Sequence, residues 1–415
     1  MQAENLLADR TRNMGASAIR EILKVVSRPG TISLAGGIPA PQSFPMAIIR
    51  EITEAVLQKY GSEAFQYGLT EGFPPLREAL AAYLETKGIA ATPEQILIST
   101  GSQGVLDGLG KILISAGDRV ALEAPTYLGA LQAFTPYEPR YVQIETDDQG
   151  MLPEALDAAL ARHPVKLIYL VPNFQNPTGR TLPMERRLAV AEIIQRHDTL
   201  LVEDDPYGDL RYEGTPIAPI KTLAPEHVVY ISTLSKVFAP GLRMGFCLAP
   251  EPVQRWLVLA KQGVDLHTST FDQALAAEYL FGGHLGCHLP KIIELYRPRQ
   301  QAMLTAMDRF FPSSFSWSRP DGGMFVWVQG PVGWDMEAVN RTAVERGAAF
   351  VPGTFFFAHP GEGKETLRLN YTMADEATLS RAIKILGGVF EEGAKVFQKG
   401  TSSAFRSSSM VSARC

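Results

Sequence analysis

A chain of 415 residues, 46% apolar and 20% charged, can bury a sizeable core, and its length suits a large domain with a smaller one. A net charge of -5 with no basic block argues against nucleic acid as a partner. Cys247, Cys287 and Cys415 offer neither a disulfide framework nor metal-ligand spacing, and no run reaches the roughly 18 apolar residues of a membrane span. With a polar, charged stretch from Met1 to Gly15 in place of a signal peptide, the expectation is a cytoplasmic protein that meets no membrane.

The first thirty or so residues read as a helical arm, with Ile19, Ile22, Leu23 and Val26 at helical spacing and Arg20 between them. A short extended run, Ile32 to Pro39, follows and contains Gly36-Gly37, a pair that lets backbone approach a ligand. Helices are expected over 46–60 and from Pro75 to about Lys87, with Tyr67 alone in the loop between them. The strand Ile96-Leu97-Ile98 leads through Gly101-Ser102-Gln103-Gly104 into a helix ending near Ile114, an arrangement that can bind an anion. It lacks the G-x-G-x-x-G spacing of a dinucleotide site.

Strands and helices then alternate. Arg119 to Glu123 ends at Tyr127, and Lys166 to Val171 ends at Asn173 through Gly179. After a helix from Pro183 to Arg196, the strand Thr199 to Val202 ends at Asp204, Asp205 and Tyr207. Val228 to Ile231 runs into Ser232-Thr233-Leu234-Ser235-Lys236, and Pro240-Gly241 then turn the chain toward Arg243 and a second apolar run, Gly245 to Ala249. This alternation predicts an α/β fold with a mostly parallel sheet between helices, whose strand ends bring the polar clusters to one rim.

Beyond Pro250 the expected elements are a helix over Pro252 to Gly263, a polar loop at 265–269, and a helix from Asp272 to Leu280. A longer helix follows from Leu289 to Phe310, with Pro298 at odds with its continuity. Strands follow at Gly322 to Val328 and Leu367 to Tyr371, the latter placing Arg368 and Asn370 on one face, and a helix over 375–391 closes the pattern. The serine-rich end, Thr401 to Cys415, reads as disordered.

Taken singly, each cluster is more often a turn, a cap or a packed aromatic. Together they supply the parts that pyridoxal phosphate chemistry requires. Lys236 can bond the cofactor's carbonyl, and Asp204 or Asp205 can face the pyridine nitrogen. Tyr207 and Asn176 can bind the ring oxygen, and Tyr127 can stack on the ring. Ser102, Gln103, Ser235 and Arg243 can hold phosphate, and Arg368 has the fork that matches a substrate carboxylate.

From about Asn13 to Phe390 the chain resembles the fold type I pyridoxal phosphate-dependent aminotransferases. The resemblance rests on Gly101-Ser102-Gln103, Asn176-Pro177-Thr178-Gly179, Asp204-Asp205-Pro206-Tyr207, Ser232 to Lys236 with Arg243, and Leu367-Arg368-Leu369-Asn370. It implies pyridoxal 5'-phosphate as cofactor, Asp204 as the pyridine partner and Lys236 as the internal aldimine and proton carrier, with Tyr207 beside them. It places Arg368 on the α-carboxylate, with Gly37 and Asn176 also at the substrate, and Tyr67 on the phosphate of a partner subunit in a homodimer with shared sites. Thr233 occupies the usual place of the phosphate-binding serine, with Ser232 and Ser235 beside it.

Several phrases, among them Ala18-Ile19-Arg20-Glu21 and Lys261-Gln262-Gly263-Val264-Asp265, resemble the 2-aminoadipate and kynurenine aminotransferase subgroup. There the position of Arg20, on a mobile helix, recognises a distal carboxylate. The organisation this implies is 1–40 as arm and mobile helix, 41–285 as the large cofactor-binding domain, 286–395 completing a smaller α+β domain, and 396–415 as a tail. Regulators in which this fold follows a winged-helix domain are a remote alternative, because the pattern starts too early here. Other reactions on the same cofactor stay open.

Overall fold

The computed structural model describes residues 6–14 and 30–409, with 396–409 as backbone only. The predicted arm helix, Arg20 included, lies outside the described residues.

Seven strands build the central sheet: β1 Ile96–Thr100, β2 Arg119–Glu123, β3 Arg140–Ile144, β4 Val165–Leu170, β5 Leu200–Asp204, β6 Val228–Thr233 and β7 Met244–Leu248. Their order is β1-β7-β6-β5-β4-β2-β3. Only β7 runs against its neighbours; the remaining pairs are parallel. Alternate residues point to opposite faces, as the pleat requires. Leu122, Tyr169, Val202, Val229 and Ile231 join one apolar core, while Ala121, Ile168, Leu170, Leu201 and Val228 join another on the far side. A sheet buried on both faces reads in sequence as continuous apolar runs, which is why these strands were legible.

Three elements here carried little signal. β3 is an edge strand and only partly buried, so its run Arg-Tyr-Val-Gln-Ile lacks the apolar density of the central strands. The helices Leu128–Phe134 and Pro153–Arg162 are short, with few turns in which a period can show.

A four-stranded antiparallel sheet follows: β8 Ser316–Trp317, β9 Phe325–Gln329, β10 Val351–Pro352 and β11 Thr366–Asn370, in the order β8-β9-β11-β10. The early segment is drawn to this sheet. Ile32–Ser33 pairs in parallel with Ala348–Ala349, and the Asn370 N–H donates to the Leu34 carbonyl at 2.8 Å.

Two expectations are corrected. The helix His284–Phe310 runs unbroken through Pro290 and Pro298. Its buried Ile292, Tyr296, Met303 and Met307 hold it on the core, and that packing outweighs the lost backbone bond. The closing helix spans Glu376–Ser409, past the expected end at 391 and through much of the tail read as disordered. No proline interrupts the sequence there, and the helix runs on through Gly393 and Gly400, which weaken it without breaking it.

Candidate active site

The strand ends converge on a cavity of about 470 Å³, lined by residues from all five polar clusters and from the Ala35–Ile38 segment. Lys236 follows β6 in a single helical turn, Leu234–Lys236, and its Nζ donates to the Gly37 carbonyl at 3.2 Å. Burial, then the nearby cations Arg243 and Arg368, lower its pKa to about 8, with Asp204 opposing. An amine so placed keeps an appreciable neutral fraction near physiological pH, far more than a free lysine, and can act as a nucleophile or base.

Asp204 ends β5 and is buried. Its Oδ2 accepts the Tyr169 hydroxyl at 2.7 Å, while Oδ1 has no hydrogen-bond partner. Burial raises its pKa to about 7, with Asp205 adding to the rise and Tyr169 and Lys236 opposing it. A buried carboxylate oxygen without a partner is the feature expected of a group waiting for a protonated ring nitrogen. Asp205 is oriented otherwise: Asn173 donates to its Oδ1 at 2.9 Å and Tyr230 to its Oδ2 at 3.0 Å. Of the two candidate carboxylates, only Asp204 lines the cavity.

The loop after β4 carries Asn176, whose Nδ2 donates to the Tyr207 hydroxyl at 3.4 Å. Its Oδ1 accepts Arg368 Nη1 at 2.8 Å, and Arg368 Nη2 donates to the Ala35 carbonyl at 2.9 Å. Arg368 lies on β11, buried over the rings of Phe325 and Phe356 at 4.3 and 5.0 Å, and burial lowers its pKa to about 10. Tyr127 lines the cavity, its phenol pushed up to about 12, chiefly by burial.

At the other end, Ser102 and Gln103 open the helix Gly101–Leu113 beside Arg243. Gln103 Nε2 donates to the Gly129 carbonyl at 2.8 Å, which ties this helix to the Leu128–Phe134 helix. Gly101 sits at φ +72°, and a Cβ there would come within 2.3 Å of Arg243 Nη2. Only glycine lets the helix start and the guanidinium share this corner. Arg243 itself has φ 53°, an uncommon backbone for a non-glycine residue and one found at functional sites.

The hydroxyls before Lys236 separate by the pleat. Ser232 turns away and donates to the Asp205 carbonyl at 2.8 Å. Thr233 and Ser235 line the cavity, their hydroxyls 2.9 Å apart, with Thr233 also donating to the Met244 carbonyl at 2.7 Å. Tyr67 does not line the cavity; it lies 79% exposed on the surface, its ring 5.8 Å from that of His267.

Sequence reasoning missed three supports. Tyr169 was concealed as one more large residue in a buried strand. Arg187, fully buried, donates to Asn173 Oδ1 at 2.6 Å and to the Pro172 carbonyl at 3.1 Å, and so fixes the start of the Asn176 loop. Gln175 donates to the Pro125 carbonyl at 2.8 Å and accepts from Thr178, joining that loop to the segment before Tyr127. For Gln175 the neighbouring turn residues were the available signal; for Arg187 there was none beyond its place in a helix.

Helix start, arginine, hydroxyls, unpartnered carboxylate and low-pKa lysine together fit pyridoxal 5'-phosphate. Known proteins agree with this reading. Residues 32–386 match the model of the family described as aminotransferase class I and II. The chain is 46% identical over 399 residues to aromatic-amino-acid aminotransferase 1 of Thermococcus litoralis, covering 94% of this chain and 95% of that one. A kynurenine aminotransferase structure from Pyrococcus horikoshii, described with PMP, superposes with TM-score 0.91 at 43% identity, covering 94% of this chain and 98% of that one. An α-aminoadipate aminotransferase structure from Thermus thermophilus, complexed with N-(5'-phosphopyridoxyl)-L-leucine, gives TM-score 0.89 at 37% identity, covering 95% and 100%.

The chain is therefore a pyridoxal phosphate-dependent transferase of fold type I. It belongs to the class I and II aminotransferases.

Proposed function

We propose that the enzyme moves the amino group of an α-amino acid, foremost 2-aminoadipate and also leucine and aromatic amino acids, to 2-oxoglutarate by ping-pong kinetics, with glutamate serving as donor when the exchange runs in reverse; a kynurenine aminotransferase of the same fold is the alternative. One observation carries this reading: Lys236, the unpartnered Oδ1 of Asp204 and the buried fork of Arg368 face one cavity. Arg368 binds the substrate α-carboxylate, and Asn176 and the Ala35 carbonyl hold its fork in place. Gly37 borders the same end of the cavity, and its carbonyl accepts Lys236 Nζ at 3.2 Å. Lys236 takes up and returns the substrate α-proton. Asp204 and Tyr207 hold the ring, Tyr127 stacks on it, and Ser102, Gln103, Thr233, Ser235 and Arg243 hold the phosphate. When bound, the cofactor supplies an electron sink for the bonds at the α-carbon.

Breadth of substrate is supported by the apolar Ile38, Leu128 and Pro206 along the cavity, which accept a hydrocarbon or an aromatic side chain. The distal carboxylate of 2-aminoadipate requires a cation, and Arg20 is the candidate. Incubating the enzyme with single amino acids, without an oxo acid, tests the donor range: each true donor converts the visible absorbance of the bound cofactor once. Arg20→Ala should raise KM for 2-aminoadipate by about tenfold or more, the scale of a charged hydrogen bond, and leave leucine nearly unchanged. Equal changes for both would remove that role.

The same reading includes a homodimer. Phe65, Tyr67, Leu69, Val264 and Leu266 are all exposed, and their two loops are tied by Gly68 N–H to His267 Nε2 at 3.3 Å and by Thr270 Oγ1 to the Gln66 carbonyl at 3.0 Å. An apolar, rigidified surface of this kind is suited to a second copy. Tyr67 then reaches the partner's phosphate. Sedimentation equilibrium of the holoenzyme should give two chains per particle; a monomer with full activity would rule out shared sites.

A further inference from the structure

Tyr169 has no place in the chemistry described so far, yet it is fully buried and lines the cavity. On β4 it pairs in register with Val202 of β5, so its side chain shares a face with Asp204, further along the same strand. The hydroxyl donates to Asp204 Oδ2 at 2.7 Å and leaves Oδ1 without a partner.

We propose that Tyr169 is a positioning residue for the cofactor, holding Asp204 as an anion with Oδ1 turned to the ring nitrogen and thereby setting the proton balance of the bound ring. This rests on the reading of Asp204 given above. A lysine or arginine in the same place would stabilise the carboxylate but cancel its charge. A phenol stabilises the charge and leaves it whole. Burial, followed by the charge of Asp204 itself, pushes the Tyr169 phenol well above its ordinary range, so it remains a donor at every working pH. The other titratable groups acting on Asp204 are Asp205 beside it, Lys236, and the phenols of Tyr127 and Tyr207. Among the hydrogen bonds of the described residues, only that of Tyr169 reaches its carboxylate.

Tyr169→Phe keeps the ring and its edge contact with Phe134, centroid to centroid 6.2 Å, so the core is retained. Two quantities are read: the dissociation constant of pyridoxal phosphate, and the pH midpoint of the bound cofactor's visible absorbance. Affinity should weaken by roughly tenfold, the scale of one hydrogen bond to a charged group. The midpoint should rise by about one unit, because a ring with weaker carboxylate support gives up its proton and no longer repels the proton held beside Lys236. A tyrosine that merely fills space would leave the midpoint in place, and that result overturns the inference. Asp204→Asn is titrated alongside. If it too leaves the midpoint unmoved, the reading of Asp204 fails; if it moves the midpoint and Tyr169→Phe does not, only the role of Tyr169 fails. Should Tyr169→Phe not fold, protein carrying 3-fluorotyrosine at position 169 decides. Its more acidic phenol donates more strongly and should lower the midpoint, and an unmoved midpoint again overturns the inference.

Discussion

Lys236→Ala should reduce transamination by about 10⁴-fold or more, the upper range for a positioned general base, and abolish the visible absorbance that depends on the lysine. No neighbour can take over. Arg368 holds its proton at neutral pH even with its pKa lowered to about 10, and the Tyr127 and Tyr207 phenols are pushed up by burial. The loss should appear in kcat, because the groups proposed to hold phosphate and carboxylate are untouched. Repeated turnovers at a substantial fraction of the wild-type rate would remove Lys236 from the chemistry.

Asp204→Asn should move stability and activity in opposite directions. Burial first, and Asp205 second, place the folded pKa of Asp204 at about 7, against roughly 3.9 for an unfolded aspartate. Below about pH 4 both states hold the proton and nothing is lost. As pH rises from about 4 to 7, the unfolded chain releases its proton while the folded one retains it, so stability falls. Above about pH 7 the full penalty applies, on the order of 2–4 kcal/mol for a shift of this size. The cofactor-free Asp204→Asn variant should therefore be more stable than wild type at pH 8 by that amount, and the advantage should shrink at pH 5. Urea melts of both proteins at the two pH values test this, and an advantage independent of pH would mean that the carboxylate is not strained. Turnover should fall by about 10²–10³-fold, since a neutral amide cannot keep the ring protonated.

Much of this site was legible because a parallel sheet places the ends of its strands together, and each strand was visible as an apolar run. Lys236, Asp204, Asn176, Tyr127 and Ser102 were thus found as a group, although each in isolation is an ordinary turn or cap residue. The assignment among Ser232, Thr233 and Ser235 was not legible because the apolar run stops at Ile231. The strand itself continues to Thr233, and that continuation decides which hydroxyl faces the cavity. Pro298 misled for a related reason: local propensity marked a break, and tertiary packing along the helix removed it. Tyr169 was invisible because a strand tyrosine is read as packing, and only the three-dimensional register shows its hydroxyl at Asp204.

The site also has an order of assembly in time. All seven central strands lie between Ile96 and Leu248, and they and the turns that follow them carry Lys236, Asp204 and Arg243. During synthesis that sheet is complete once Leu248 has emerged, while β11 with Arg368 is still unmade. The groups proposed to hold the cofactor are thus all made before Arg368, the group proposed to clamp the substrate's α-carboxylate.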